Sequence, residues 1–254
     1  MDSPDMITSR GTVRLERSAK RVRVQLGGRV IADTTRPMLV WEKPYYTTYY
    51  IPLDAIDTTL LSPSGETRRS PSRGVATLFT VKVPGRDAAD AAARYRDSPI
   101  TELRDLVRFD WEAMDAWYEE DEPVYVHPRD PHTRIDILAS SRQVRVEVAG
   151  VTLADSPRPR LLFETGLPTR YYLPRTDVRM DLLEPSETVT RCPYKGQTEH
   201  FAARLGGHLH DVAWSYPTPL PESQKIAGLI AFYDERVDTF VDGTLQDRPK
   251  TPFS

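Results

Sequence analysis

The sequence predicts a mainly β protein, made of two tandem copies of a small β-tent-like antiparallel domain with one or two short helices each. Three observations predict this class. The chain repeats itself after 122 positions (144 minus 22), short segments alternate apolar and polar residues, and 22 prolines leave few long helical patterns. In the repeat, VRVQLGGRVIADTTRPMLVWE from Val22 lies over VRVEVAGVTLADSPRPRLLFE from Val144. Two copies with so long a period indicate two globular domains.

The repeat sets the expected domain boundaries. We place the first domain at 21–128 and the second at 142–244, between an N-terminal extension (1–20) and a C-terminal tail (245–254). The copies align without a gap as far as Gly74 and its counterpart.

Beyond that glycine the alignment is predicted to shift. AWYEEDEPVYV from Ala116 then lies over AFYDERVDTFV from Ala231. This shift implies an insertion at 84–101 in the first copy and a shorter one at 217–225 in the second.

The elements follow from local patterns. VRVQL and VRVEV alternate as strands do and end at hairpin turns, Gly27–Gly28 and Ala149–Gly150. The later strands YYIP and YYLP end at proline. LIAFYDERVDTFV is interpreted as a hairpin with 234–235 at its tip, and short helices are predicted at 87–96 and 222–228.

The composition of the chain limits the classes of function that the sequence supports. The net charge of −3 gives no indication of nucleic acid binding. A single cysteine excludes an intrachain disulfide, no apolar run is long enough to cross a bilayer, and the start of the chain lacks the apolar core of a signal peptide. We therefore expect a cytoplasmic protein without membrane contact. The sequence contains neither a GxxxxGK[ST] loop nor a GxSxG elbow, and no cofactor is predicted.

The lone cysteine lies in RCPYKG, which aligns with RSPSRG of the first copy. Both copies keep the proline and the glycine, so both make the same bend. Only the second has Cys192 and Lys195, and a nearby ammonium favours the nucleophilic thiolate. One interpretation is a reactive site in the second copy and a degenerate first copy. The simpler one is a small buried cysteine beside a solvated lysine.

Aligned polar and aromatic residues extend the candidate site. Glu42 and Glu164 each end an apolar strand, and such a carboxylate is a general base, a group that binds a ligand cation, or the partner of an arginine in its own copy. Tyr49–Tyr50 and Tyr171–Tyr172 also align, and one ring of each pair must face inward, where it lines a pocket or fills the core.

The segment DVAWSYPTP adds two rings. Trp214 and Tyr216 lie two residues apart and share a face on a strand, where they form either a platform for a flat ligand or part of the core. The shifted alignment places Arg108 and Asp110 opposite them, so the first copy is expected to lack the platform.

A metal site is the weaker alternative. His208 and His210, together with Asp211 or His200, give a crude ligand set, but HExxH is absent and no metal is predicted.

Together, the segments YYLPRTDV, CPYKG, AWSYPTP and IAGLIAFYDERV resemble the domain of unknown function 427 family, which is also titled a nucleotidyltransferase family. The resemblance covers 143–243 closely and 21–126 in its strands and turns, and the tandem arrangement is similar to the actinobacterial type. It implies a β-tent, two antiparallel sheets meeting over a small-molecule pocket. It also implies the following site residues: Glu164, Tyr171, Cys192, Lys195, Trp214 and Tyr216.

Four functions stay open. The first is a pocket in the second domain for an unknown small molecule, with Trp214, Tyr216 and Tyr171 or Tyr172 as its walls. The second is an enzyme in which Cys192 attacks, Lys195 stabilises the developing anion and Glu164 moves protons. The third is a structural or partner-binding module without catalysis. The fourth is the nucleotide transfer that the family's name implies.

Overall fold

The computed structural model describes residues 6–8, 11–43, 46–205 and 208–251. The chain divides into two compact units, Met1–Asp130 and Pro131–Ser254. Both are built almost wholly from antiparallel strands, and the prediction of two tandem mainly β domains is confirmed.

The first unit contains these strands in its described part: β1 (Met6–Thr8), β2 (Gly11–Arg17), β3 (Val22–Leu26), β4 (Arg29–Thr34), β5 (Met38–Lys43), β6 (Tyr46–Pro52), β7 (Leu61–Ser70), β8 (Gly74–Val83), β9 (Arg86–Arg94), β10 (Leu106–Phe109), β11 (Ala116–Glu119) and β12 (Glu122–Val124). One sheet has the order β1-β2-β5-β6-β10-β9-β8-β7, and a smaller one the order β12-β11-β3-β4. Three short 3-10 helices join them: Leu53–Ala55, Thr58–Leu60 and Thr101–Leu103.

The second unit repeats this plan with these described strands: β13 (Ile135–Ala139), β14 (Val144–Val148), β15 (Val151–Ser156), β16 (Arg160–Glu164), β17 (Arg170–Leu173), β18 (Leu183–Ser186), β19 (Arg191–Cys192), β20 (Gly196–Gln197), β21 (Glu199–Leu205), β22 (His208–Ser215), β23 (Ile230–Phe232), β24 (Asp238–Val241) and β25 (Thr244–Leu245). The large sheet runs β13-β16-β17-β23-β22-β21-β18, the small one β15-β14-β24-β25, and β19 pairs with β20. The 3-10 helices are Arg175–Asp177, Met180–Leu182 and Pro221–Ile226.

The large sheet of each unit is covered on both faces. In the second unit, one face packs against the small sheet through residues such as Val146, Leu173 and Ile230. The other face carries a separate apolar cluster that includes Leu162 and Ile226. Alternate side chains of one strand therefore enter different cores, as the two-residue period of a strand requires. The first unit has the same two clusters.

The hairpins at Gly27–Gly28 and Ala149–Gly150 are confirmed, and all four residues have positive φ. The second predicted helix is present as the 3-10 helix Pro221–Ile226. The first is wrong, because 86–94 forms β9 in the middle of the large sheet. The predicted hairpin at 229–241 is also wrong, because β23 and β24 belong to different sheets.

Strand pairing also corrects the alignment of the two copies. Equivalent rows of strand partners start from the equivalent tyrosines and run Tyr50–Arg108–Ala93 in the first unit and Tyr172–Ala231–Trp214 in the second. The offset between copies therefore stays close to 122 throughout, and the insertions predicted at 84–101 and 217–225 are wrong.

The corrected alignment changes which residues of the first copy correspond to Trp214 and Tyr216. Ala93, not Arg108, is the counterpart of Trp214, and Tyr95, not Asp110, is the counterpart of Tyr216. The first copy therefore keeps one of the two rings that it was expected to lack.

Candidate functional site

A short hairpin over the second cluster carries the cysteine and the lysine. Cys192 ends β19, Gly196 begins β20, and Lys195 lies in the turn between them. Gly196 has a φ of 100°, and a Cβ there would lie 3.5 Å from the carbonyl oxygen of Thr218. The equivalent Gly74 has a φ of 90°. Both values favour glycine, which explains why both copies keep this bend.

The turn brings Lys195 to the end of β16. Its Nζ lies 2.5 Å from Oε2 of Glu164, and the two side chains are only 10% and 9% exposed. This is a buried ion pair, so the lysine is not the solvated charge of the simpler interpretation. The predicted arginine partner is present for Glu42, which pairs with Arg73, but the prediction is wrong for Glu164, which pairs with Lys195.

The thiol lies at the edge of the same group. Cys192 is half-buried and packs against the aromatic and aliphatic side chains of the second cluster. Within the part of the chain that the structure describes, no hydrogen bond joins its sulfur to Lys195. The ammonium contacts the Glu164 carboxylate, so its predicted role at the thiol gains no support from this geometry.

The aromatic residues form a packed group. Tyr172, Trp214 and Tyr216 are 1%, 9% and 5% exposed and belong to one cluster. The Trp214 indole N–H donates to the Tyr172 hydroxyl over 3.3 Å, with the rings edge to face. Trp214 and Tyr216 share a face as predicted. Tyr171 does not join them, because it packs on the opposite face of the sheet.

The Tyr216 hydroxyl is a polar group to which the described residues give no hydrogen-bond partner. Among the described residues it makes no hydrogen bond, although the side chain is 95% buried (100 minus 5). Burial raises the pKa of Tyr216 well above its ordinary value, and nearby Tyr172, Cys192 and Glu164 reinforce the shift. The hydroxyl therefore stays protonated and keeps a proton to donate.

Sequence reasoning missed two neighbours of Trp214. The guanidinium of Arg170 lies 5.6 Å from the centre of its ring, and the ring of Tyr233 lies 4.6 Å away. Arg170 also pairs with Asp234 at 3.0 Å and with Glu235. Arg170 lies two residues before Tyr172, so strand alternation alone places both on one face and would have identified Arg170.

Of the crude metal set, the structure describes the side chains of His200, His210 and Asp211. His200 is buried, and its Nε2 lies 3.1 and 2.9 Å from the hydroxyls of Thr190 and Thr198. His210 is exposed, and the side chain of His208 lies outside the described residues. The described His, Cys, Asp and Glu side chains include no group able to hold a metal ion.

The first unit has a different set of charges at the equivalent place. Glu42 pairs with Arg73 and lies 3.2 Å from Nε of Arg108. Tyr50 donates to the same carboxylate over 2.6 Å, and the Tyr95 ring lies under the Arg73 guanidinium. The first domain is therefore not an empty copy of the second.

A broad groove of about 1740 Å³ also lies in the first unit, away from these residues. Its charged lining residues include Arg36 and Asp54, which pair with each other at 2.9 Å. We favour the ion-pair site over this groove, because Lys195 and Glu164 are only 10% and 9% exposed, whereas Arg36 and Asp54 of the groove are 67% and 66% exposed.

The two units together define a class of protein: tandem antiparallel β domains, each with a carboxylate–cation pair and two tyrosines beneath a tight hairpin. The chain belongs to the family described as domain of unknown function (DUF427), whose profile, named NTP_transf_9, matches residues 14–120 and 136–243. No curated protein matches the chain. None of the described helices is long and apolar enough to cross a membrane.

Proposed function

We propose that the second domain binds a small, uncharged, flat molecule beside Glu164, Lys195 and Cys192, on a floor formed by Tyr172, Trp214 and Tyr216. The unpaired Tyr216 hydroxyl is the observation that carries the proposal. Solvent reaches this oxygen, so a ligand acceptor can replace water there and gain a hydrogen bond worth roughly 0.5–1.5 kcal/mol. Trp214 and Tyr216, which stay 9% and 5% exposed, would supply the apolar contact that small-molecule sites use.

The ion pair supports the same proposal and indicates the charge of the ligand. A buried pair contributes little net stability, because desolvation offsets most of its attraction. Its retention is therefore better explained by recognition than by folding. Since Glu164 and Lys195 neutralise each other, the pair itself attracts neither anions nor cations, and an uncharged ligand fits beside it best.

The proposal is tested with benzamide and adenosine as uncharged flat probes. Each is titrated into the full chain while the NMR signal of the Trp214 indole N–H is followed. We expect saturable shifts, and Tyr216→Phe should weaken binding about 3- to 10-fold through loss of one hydrogen bond. Tyr171→Phe is the matched control on the opposite face and should change nothing. Equal effects of both variants, or no saturation with any uncharged probe of this kind, would contradict the proposal.

Two further titrations separate the rival functions. Cys192 alkylation is measured against pH in the wild type, in Lys195→Met and in the conservative Lys195→Arg. A midpoint well below about 8.5, the value of an unperturbed thiol, that rises in Lys195→Met would favour the cysteine enzyme. Binding of ATP only with Mg²⁺ would favour nucleotide transfer. If neither Cys192→Ser nor Tyr216→Phe changes the binding of any probe, the result favours a structural or partner-binding module without catalysis.

A further inference from the structure

The first domain carries an unbalanced charge at the place where the second domain is neutral. Two guanidinium groups, Arg73 and Arg108, lie against the single carboxylate of Glu42. The side chains of Arg73, Arg108 and Glu42 are 15%, 21% and 13% exposed, so the group is partly shielded from water yet reachable. Two positive charges and one negative charge leave a net charge of +1.

We infer that the first domain binds the carboxylate of a small organic acid between Arg108, Arg73 and Tyr95. A planar carboxylate matches the N–H fork of a guanidinium, and charge-assisted hydrogen bonds of this kind are about twice as strong as neutral ones. A monoanion balances the excess charge of +1. A dianion would leave an excess negative charge beside Glu42.

Donors at this place lack partners. Nε of Arg108 is inaccessible to solvent and makes no hydrogen bond, although it lies 3.2 Å from Oε1 of Glu42. The Tyr95 hydroxyl, on a side chain only 2% exposed, also makes none among the described residues. The Nε of Arg108 is out of reach of an anion, but the Tyr95 hydroxyl and the terminal nitrogens of Arg108, which have no hydrogen bond among the described residues, retain hydrogen-bonding capacity for a bound anion.

Arg73, in contrast, is held in place. Its Nε donates to Ser70 over 3.1 Å, and its Nη1 donates to Tyr50 over 2.7 Å and to Glu42. Such a fixed guanidinium is preorganised, so binding an anion costs little additional side-chain entropy. Arg108 is the more adaptable partner, because Glu42 is its only charged contact among the described side chains.

The second domain lacks this arrangement. Ala231 stands where the first domain has Arg108, and Trp214 fills the space opposite it. The inferred anion site is thus specific to the first domain and does not depend on the proposed ligand of the second.

The test uses the full chain and acetate as the probe, with chloride exchanged for acetate so that ionic strength stays constant. The side-chain Nε–H signals of Arg73 and Arg108 are followed by NMR. We expect saturable shifts of both, and Arg108→Gln should weaken acetate binding at least tenfold. Arg68→Gln, which removes an exposed arginine of the same domain, is the matched control and should bind as the wild type does.

A second measurement needs no variant. Phenylglyoxal modifies arginines, and mass spectrometry of peptides reports each site. Acetate should slow modification of Arg108 and leave Arg68 unaffected. The inference is overturned if acetate neither shifts the Nε–H signals nor protects Arg108. It is also overturned if sulfate, a dianion, binds more tightly than acetate at equal ionic strength.

Discussion

Single side chains distinguish the two domains more than their backbones do. Lys195 stands where the first domain has Arg73, and both neutralise a glutamate at the end of the same strand. A lysine brings one compact charge, whereas an arginine brings a planar fork with several donors. The arginine can satisfy Glu42, Tyr50 and Ser70 at once, which leaves the first domain able to hold a second guanidinium.

The second domain contains a strongly hydrogen-bonded aspartate, Asp177, that has no counterpart in the first domain. Its carboxylate accepts from Arg158 at 2.9 and 3.1 Å and from the hydroxyls of Ser156 and Thr176 at 2.8 and 2.9 Å. Arg158 is the main reason why the pKa of Asp177 lies well below its ordinary value, and the hydroxyls add to the effect. The first copy has Ala55 at this place.

This lowered pKa predicts a pH-dependent stability. A folded-state pKa below the unfolded one contributes stability above the unfolded value of about 3.9 and loses it as the pH falls towards the folded value. Asp177→Asn should therefore lower the free energy of unfolding by about 1 kcal/mol at pH 7, allowing for the exposure of Arg158. The difference from wild type should shrink below about pH 4.

Urea unfolding at several pH values measures this difference. Asp136→Asn, at an exposed aspartate of the same domain that pairs with Arg134, provides the background effect of removing a carboxylate. A gap between Asp177→Asn and wild type that stays constant down to pH 3 would show that the ionised carboxylate is not the cause.

Which residues belong to the candidate site could be predicted in part from the sequence, but their contacts could not. The resemblance to the family's motifs indicated that Glu164, Lys195, Cys192, Trp214 and Tyr216 belong together. It could not show that Lys195 bonds to Glu164, since that contact depends on how a turn folds over a distant strand. It also placed Tyr171 and Tyr172 as alternatives, and only the packing of both sheet faces separates them.

Among the elements, β9 shows why a local pattern misled. DAADAAAR is rich in alanine, the best helix former, and so predicts a helix. In the structure Ala91, Ala92 and Ala93 are all at least 97% buried (100 minus 3), in a strand covered on both faces. Small side chains fit a strand packed between two layers, and this tertiary constraint overrides intrinsic propensity.

The shifted alignment has a similar cause. AWYEE and AFYDE look alike, yet the first forms β11 in a small sheet and the second includes the end of β23 in a large one. The match that strand pairing gives, LVRFD at 106–110 with LIAFY at 229–233, has fewer identical residues. Hairpins with glycine turns were predicted correctly, because their signal lies within a few neighbouring residues.

The hairpin that carries Lys195 gives a prediction at the scale of one element. Gly196 has a φ of 100°, and a side chain there would be strained. Gly196→Ala should lower the free energy of unfolding by about 1–3 kcal/mol. It should also loosen the Glu164–Lys195 pair, which is read from faster Cys192 alkylation.

Gly150→Asn is the control at another positive-φ turn. Gly150 has a φ of 78° and open space around it, and asparagine tolerates this conformation. We expect a smaller loss of stability and an unchanged alkylation rate. Equal losses for the two variants would mean that the bend at Gly196 has no special constraint.

For the whole molecule, each unit has its own pair of hydrophobic clusters. Compact units with separate cores are expected to fold alone. The proposed boundaries, 21–128 and 142–244, leave a connecting segment that includes the division after Asp130. The profile of the family also matches each unit separately.

Fragments 1–130 and 131–254 should therefore each unfold cooperatively when expressed separately. Thermal unfolding followed by near-ultraviolet circular dichroism measures this, since the signal requires fixed aromatic packing. Fragment 131–254 should also keep the Cys192 alkylation rate of the full chain. Absence of a cooperative transition in either fragment would show that the units depend on each other.

In the first domain Arg108 faces Ala93, and in the second domain Ala231 faces Trp214. The bulky residue therefore lies on opposite strands of the facing pair in the two domains. Facing residues on neighbouring strands are close, so a tryptophan and an arginine would compete for one space. An ancestor of both copies with alanine at both places would permit either bulky residue to arise first in one copy and then exclude the other. Exchanging one arrangement for the other now requires both facing residues to change, and a form with alanine at both places leaves a cavity in the sheet's covering layer.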